Sequence, residues 1–308
     1  MLATALTGCG GTKDETTPET APKKMVFTYV TAPLNVPTIV EKEKGIFANA
    51  LKDMGIAVEY AELTSGADQT QALASGDVQV LYAVGATSLI LSAANGADIK
   101  VLNMYSRSPK AFCLYSQDEQ ITSPEALRGK TIAGPTGTIL HELLVAYLKT
   151  ADMTIEDVNY VNMTIPEAKS GLDGGSVDVA MLAGATAYQA KQQGYHLVTD
   201  GEGLVDAIIA VAVTDEFYNQ HPEIIEKITS AQEEVAKYMK DNEKEAMEMT
   251  AKALDLDVDA VEEMVKDYDF STKITVEDKK GFQKTADFMY ETGMIEKELD
   301  VNTLFYEE

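Results

Sequence analysis

The chain has no tryptophan, three histidines, two cysteines and only two arginines, Arg107 and Arg128. A single cysteine beyond Cys9 excludes zinc sites built on paired thiolates, and if Cys9 carries lipid then Cys113 has no disulfide partner. Basic residues are few, 25 against 50 acidic, and the formal charge of -25 repels phosphate backbones and anionic lipid surfaces. Nucleic acid is therefore excluded as a partner. The sign of a small ligand stays open, because oriented backbone amides can make a pocket electropositive inside an acidic protein. No run reaches the roughly 18 apolar residues of a membrane-spanning helix. The sequence also offers no metal-ligand cluster, nucleophile elbow or phosphate P-loop, so neither an enzyme nor a cofactor is expected. What is present, 308 residues with 45% apolar and 24% charged content, suffices for two lobes with separate cores.

Attachment to a membrane has another candidate. Leu6-Thr7-Gly8-Cys9-Gly10 places an apolar and two small residues before a cysteine, as in the lipobox where bacterial lipoproteins are cleaved and acylated. Residues 1–5 are too few for a charged region and an apolar region of about 7–15 residues, so a longer leader is expected. Residues 10–24 are polar and rich in Pro and Thr, a tether of the kind a lipid-anchored domain needs. Cys113, inside the apolar run Ala111-Phe-Cys-Leu-Tyr115, is expected to be buried and inert.

From residue 25 the pattern reads strand 25–30, helix 36–44, strand 57–63, helix 67–74 and strand 78–84. The same order returns at 131–133, 139–149, 158–163, 167–173 and 177–182. Leu73, Gly76, Val78 and Val80 match Leu172, Gly175, Val177 and Val179, and Val58, Tyr60 and Thr64 match Val158, Tyr160 and Thr164. Two α/β lobes on one plan follow. The matched glycines end a helix before a buried strand, where positive φ is useful. Crossings between lobes are expected near 106–110 and 207–213. Amphipathic helices at 222–240, 244–254, 258–268 and 276–292 are expected to return to the first lobe. The division is then 1–24 leader, lipobox and tether, 25–106 plus 214–308 first lobe, and 107–213 second lobe.

Several segments, in order and spacing, resemble one known family: Glu43-Lys-Gly-Ile-Phe47, Gln71-Ala-Leu-Ala-Ser-Gly-Asp-Val78, Gly96-Ala-Asp-Ile-Lys-Val101, the stretch 123–133, Thr154-Ile-Glu-Asp-Val158 and the stretch 281–288. The chain is similar to the solute-binding proteins of ABC importers for sulfonates, taurine, nitrate and thiamine precursors. That resemblance implies a type II periplasmic-binding fold, with two α/β lobes joined by a two-strand hinge and a ligand cleft between them. It implies a monomeric, extracytoplasmic receptor that captures a small organic solute by hinge closure and delivers it to a permease and ATPase. An anion such as a sulfonate, or a small carboxylate or aromatic acid, is the expected solute. A thiamine-pyrimidine precursor is the alternative. Enzymes on this fold are a third possibility, but the cysteine-rich motif of the thiamine-pyrimidine synthases is absent.

Ligands of open parallel sheets bind at the carboxyl ends of the strands. Expected ligand contacts are Pro33, Asn35, Ser65, Gly66, Ala86, Thr87 and Ser88 in the first lobe, and Thr136, Gly137, Thr138, Ala183 and Gly184 in the second. Helix amides at Ser65-Gly66 and Thr136-Gly137-Thr138 can hold an oxyanion without a basic side chain, although capping alone would also explain those residues. Arg107, at the first crossing, either forks onto an anion in the cleft or is a solvated hinge residue. His141, one turn into the helix, either packs or contacts ligand. Asp68 and Glu167 complement helix dipoles unless both face the cleft, where they would favour an amine or hydroxyl on the solute. Leu182-Ala-Gly-Ala-Thr186 departs from the Trp-Glu-Pro-like stretch of many relatives, making the wall smaller and less polar.

Overall fold

A computed structural model describes residues 22–63 and 65–306; Cys9 and its tether up to residue 21 lie outside them. The first lobe opens with β1 (Lys24–Tyr29), α1 (Val36–Lys44), α2 (Ile46–Leu51), β2 (Ala57–Glu62), α3 (Gly66–Ser75), β3 (Leu81–Gly85), α4 (Ala86–Ala94) and β4 (Lys100–Arg107). The second holds β5 (Phe112–Ser116), β6 (Thr131–Gly134), α5 (Ile139–Lys149), β7 (Asn159–Asn162), α6 (Ile165–Asp173), β8 (Val179–Ala183), α7 (Ala185–Gln192) and β9 (His196–Asp200). β10 (Ile208–Val213) and helices α8 (Asp215–Gln220), α9 (Pro222–Asp241), α10 (Glu243–Leu254), α11 (Val258–Met264) and α12 (Val276–Glu291) complete the chain.

The repeat is visible in the sheets. β1 pairs parallel with β2 and meets β3 through the parallel bridge Phe27–Val80, while β6 pairs parallel with β7 and β8. An antiparallel strand then joins each triplet, β10 beside β3 and β5 beside β8. Gly76 and Gly175 have φ of 79° and 70°, the left-handed conformation their matched positions suggested.

Two sequence expectations need correction. The segment 208–213, assigned to the second lobe, is the inner strand β10 between β3 and β4 of the first. Its residues Ile-Ile-Ala-Val-Ala-Val are all buried, as a strand covered on both faces requires, and the second crossing is the loop before it, 201–207. The helix expected to run to residue 268 ends at Met264, and residues 269–272 extend along β4, with Arg107 N–H donating to Asp269 O and Met104 N–H to Thr272 O, both at 2.9 Å.

The later helices pack on the first lobe, α9 and α10 against α1 and α2, and α12 against α4. One apolar cluster runs from Met25 and Phe27 in the first lobe to Leu114, Ile132 and Leu143 in the second, so the lobes meet closely.

Candidate functional site

Five loops at the carboxyl ends of strands meet along the seam between the lobes. Gly184 abuts Pro33 so closely that a Cβ on it would lie 1.7 Å from the Pro33 carbonyl oxygen. A Cβ on Gly66 would lie 2.0 Å from Ser88 Oγ, and that hydroxyl donates across the seam to Gly137 O at 3.1 Å. Gly85 faces Ile139 in the same way. Gly66, Ser88 and Gly137 are thus brought together, and Pro33 is paired separately with Gly184, with Ala86 and Thr87 in the buried first turn of α4 and Ala183 ending β8.

No N-cap side chain accepts from the first turns of α1, α4, α5 and α7, the helices that open at the seam, and in α1 Thr38 N–H donates instead to Tyr105 Oη at 3.1 Å. α3 and α6 are capped, by Ser65 accepting from Asp68 N–H and by a reciprocal box between Thr164 and Glu167. Among the described residues, first-turn amides of α4 from one lobe and of α5 and α7 from the other have no side-chain acceptor, which suits a small anion without a basic side chain.

Not all the expected donors are available. Ser65 Oγ is occupied by its cap, Thr136 N–H donates to Asn162 Oδ1 at 3.0 Å, and Gly137 N–H donates to His141 Nδ1 at 3.2 Å. Thr138 Oγ1 donates to Pro135 O, and Thr136 Oγ1 pairs with Tyr160 Oη. Each of these groups is hydrogen-bonded within its own lobe. His141 stacks on Tyr160, with ring centroids 5.1 Å apart, and burial lowers its pKa, keeping the ring neutral as an accepting Nδ1 requires.

Arg107 is the clearest correction. Its Nε and Nη2 fork onto both oxygens of buried Asp278 at 2.6 Å, Nη1 donates to Ser271 O and Oγ, and Nη2 also to Lys273 O. All five donors are engaged, so the guanidinium ties β4 to α12 and has none left for a solute. Burial alone would raise the Asp278 pKa, but Arg107 and Thr275 bring it below the usual carboxylate range. Glu167 is likewise occupied, and its Thr164 hydrogen bonds lower its pKa; Asp68 is exposed. Asn35 donates to Val30 O and Ala32 O, while its buried Oδ1 has no partner among the described residues.

A cavity of about 90 Å³ adjoins Gly184 between β5 and α7 of the second lobe and the 263–268 segment of the first. Tyr115, Tyr188 and Tyr268 wall it, with Cys113 and Met264, and Lys110 and Lys191 stand beside it. The buried Tyr268 hydroxyl has no partner among the described residues. Lys191 bridges the seam to Glu263 at 2.6 Å, and Lys110 pairs with Glu202 at 3.0 Å. Cys113 is buried as expected, and burial pushes its thiol up to about 12. Tyr188 and Lys191, three apart on α7, could have been found from sequence had that helix been recognised; Tyr268 was hidden by reading its segment as helix.

Two lobes of one topology, crossed twice by the chain and meeting at strand ends, define the type II periplasmic-binding fold. A family model, NMT1/THI5 like, matches residues 33–246, and the chain belongs to that family. A putative aliphatic sulfonates-binding protein of Bacillus subtilis is 28% identical over 86% of this chain and 81% of its own length. The taurine-binding periplasmic protein of Escherichia coli is 30% identical over 56% of this chain and 55% of its own. Among solved structures, the alkanesulfonate-binding protein SsuA of Xanthomonas axonopodis pv. citri bound to MOPS superposes with a TM-score of 0.84 at 18% identity, covering 93% of this chain and 99% of that one. The fold also carries catalysis elsewhere: the desulfurization enzyme DszB matches at a TM-score of 0.67 and 14% identity, over 92% of this chain and 96% of its own. No helix among the described residues is long and apolar enough to cross a membrane.

Proposed function

We propose that the chain is the non-catalytic, extracytoplasmic receptor of an ABC importer, and that it closes over a small organic anion, a sulfonate by preference. The observation that carries this reading is that α4 of one lobe and α5 of the other, joined at the Ser88–Gly137 contact, both open without a side-chain N-cap, as does α7 beside Pro33. Relatives named for sulfonates and taurine support the same solute class. A ligand contacted by both lobes binds the closed form better than the open one and shifts the population towards closure, a difference a permease can read.

Anchoring belongs to the same proposal. Cys9 is acylated, and the 14 residues from 10 to 23 (23 − 10 + 1), before β1 begins at Lys24, reach at most about 50 Å, enough to dock while tethered. Expressed in a bacterial host, the protein partitions into membranes and Cys9→Ser releases it; equal partitioning would end the lipoprotein reading.

A thermal-shift screen against alkanesulfonates, taurine, nitrate, pyrimidines and small carboxylates tests the solute. A binder at 100 times its Kd adds about 2.7 kcal/mol of stability. Stabilisation by pyrimidines alone would transfer the assignment to a thiamine precursor, and conversion of the solute on long incubation would make the chain an enzyme.

A further inference from the structure

α5 is an apolar helix with one acidic residue turned inward. Glu142 is 5% exposed, and its Oε2 accepts from Thr87 Oγ1 of α4 at 2.6 Å while its Oε1 accepts from Thr285 Oγ1 of α12 at 2.9 Å. α5 belongs to the second lobe, and α4 and α12 pack in the first. Among the described residues both hydrogen-bond partners of this carboxyl therefore lie across the seam. Parting of the lobes removes both donors together and admits water.

We propose that Glu142 is the latch of the closed state, a carboxyl group of one lobe clasped by two hydroxyls of the other, and that it makes closure dependent on pH. The inference rests on the two-lobed fold and not on the nature of the solute.

The chemistry follows from the surroundings. Two neutral hydroxyls compensate a buried carboxylate only in part. Burial raises the Glu142 pKa, the Thr87 and Thr285 hydrogen bonds lower it less, Asp206 on the second crossing raises it further, and Lys284 on α12 opposes. Asp206 and Lys284 are themselves paired at 3.4 Å, and Lys280, Asp287 and Glu291 line the groove outside. On α5 itself, His141, its pKa lowered by burial, precedes the carboxyl, and Lys149 is paired with Glu291. In the open form the carboxyl returns to water and to an ordinary value of about 4.3. Closure is then accompanied by proton uptake. The closed state has its full advantage below the ordinary value, and that advantage is lost as pH rises through the raised closed-state value. A protonated Glu142 keeps both contacts, because a threonine hydroxyl accepts as readily as it donates.

Small-angle scattering of the solute-free protein from about pH 4.5 to about pH 8 tests the latch, with circular dichroism as the control for folding. The wild type is expected to expand as pH rises, its open-to-closed ratio growing by up to roughly tenfold per pH unit within the window. Glu142→Gln, neutral and isosteric, is expected to stay compact at every pH. Thr285→Val, which removes one clasp without changing volume much, is expected to be more open throughout. A Glu142→Gln variant that titrates like the wild type, or a Thr285→Val variant as compact as the wild type, overturns the proposal.

Discussion

Gly184 rests against the backbone of Pro33, with φ 55° and ψ −128° at Gly184 and no room for a Cβ between them. The contact joins the N-terminus of α7 in one lobe to the loop before α1 in the other, so it exists only when the lobes meet. Gly184→Ala adds a methyl there, and the local backbone strain costs on the order of 1–3 kcal/mol. Apparent solute affinity is expected to fall at least tenfold, roughly 1.4 kcal/mol or more, because the closed state is blocked. Calorimetric titration checks this; unchanged affinity would show that the seam closes some other way.

Arg107 is expected to act on stability and not on charge recognition. Asp278 is 3% exposed and also accepts from Thr275, so Arg107→Ala leaves a buried carboxylate without its cation, at a cost of about 3–5 kcal/mol. Urea denaturation should show that loss. Solute affinity, measured where the variant is still folded, should be unchanged; a selective loss of anion affinity would return Arg107 to the site.

Glu41 gives stability a second pH dependence. It is buried in α1 and accepts from Tyr60 Oη and Phe47 N–H, and burial raises its pKa to about 7 despite them. A folded value above the unfolded one of about 4.3 gives a contribution that is complete below the unfolded value and lost as pH rises through about 7. Glu41→Gln is expected to flatten this decline, changing the stability difference between about pH 5 and about pH 8 by up to about 3 kcal/mol. Parallel denaturation curves at the two pH values would contradict it.

The Tyr268 hydroxyl distinguishes a ligand-facing group from a structural one. Removing a buried hydroxyl that has no partner among the described residues is expected to leave the melting temperature of Tyr268→Phe unchanged or raised, while solute binding weakens by about 0.5–1.5 kcal/mol if the solute pairs with it. A destabilised variant with wild-type affinity would give the hydroxyl a structural role.

Most of the fold was legible because hydrophobic periods of 2 and 3.6 survive in both halves, and Gly76 and Gly175 mark the same helix end twice. The site was less so. Side chains such as Arg107 and Asp278 meet across 171 positions of sequence, and nothing local near Arg107 announces its partner. That Pro33, Gly66, Ser88, Gly137 and Gly184 lie just past strand ends was readable, but which groups there were already hydrogen-bonded depended on Asn162, His141 and Tyr160 folding back on Thr136 and Gly137. Glu142 left a trace, one carboxyl inside the run Ile-Leu-His-Glu-Leu-Leu-Val, whose meaning came only with Thr87 and Thr285 placed opposite.

The claim on which the rest depends is that the lobes close over a small anion, and solution scattering in a titration with the sulfonate that most stabilises the protein measures it directly. The radius of gyration is expected to fall with occupancy and level off at saturation. A radius that stays constant while calorimetry reports a filled site would contradict closure.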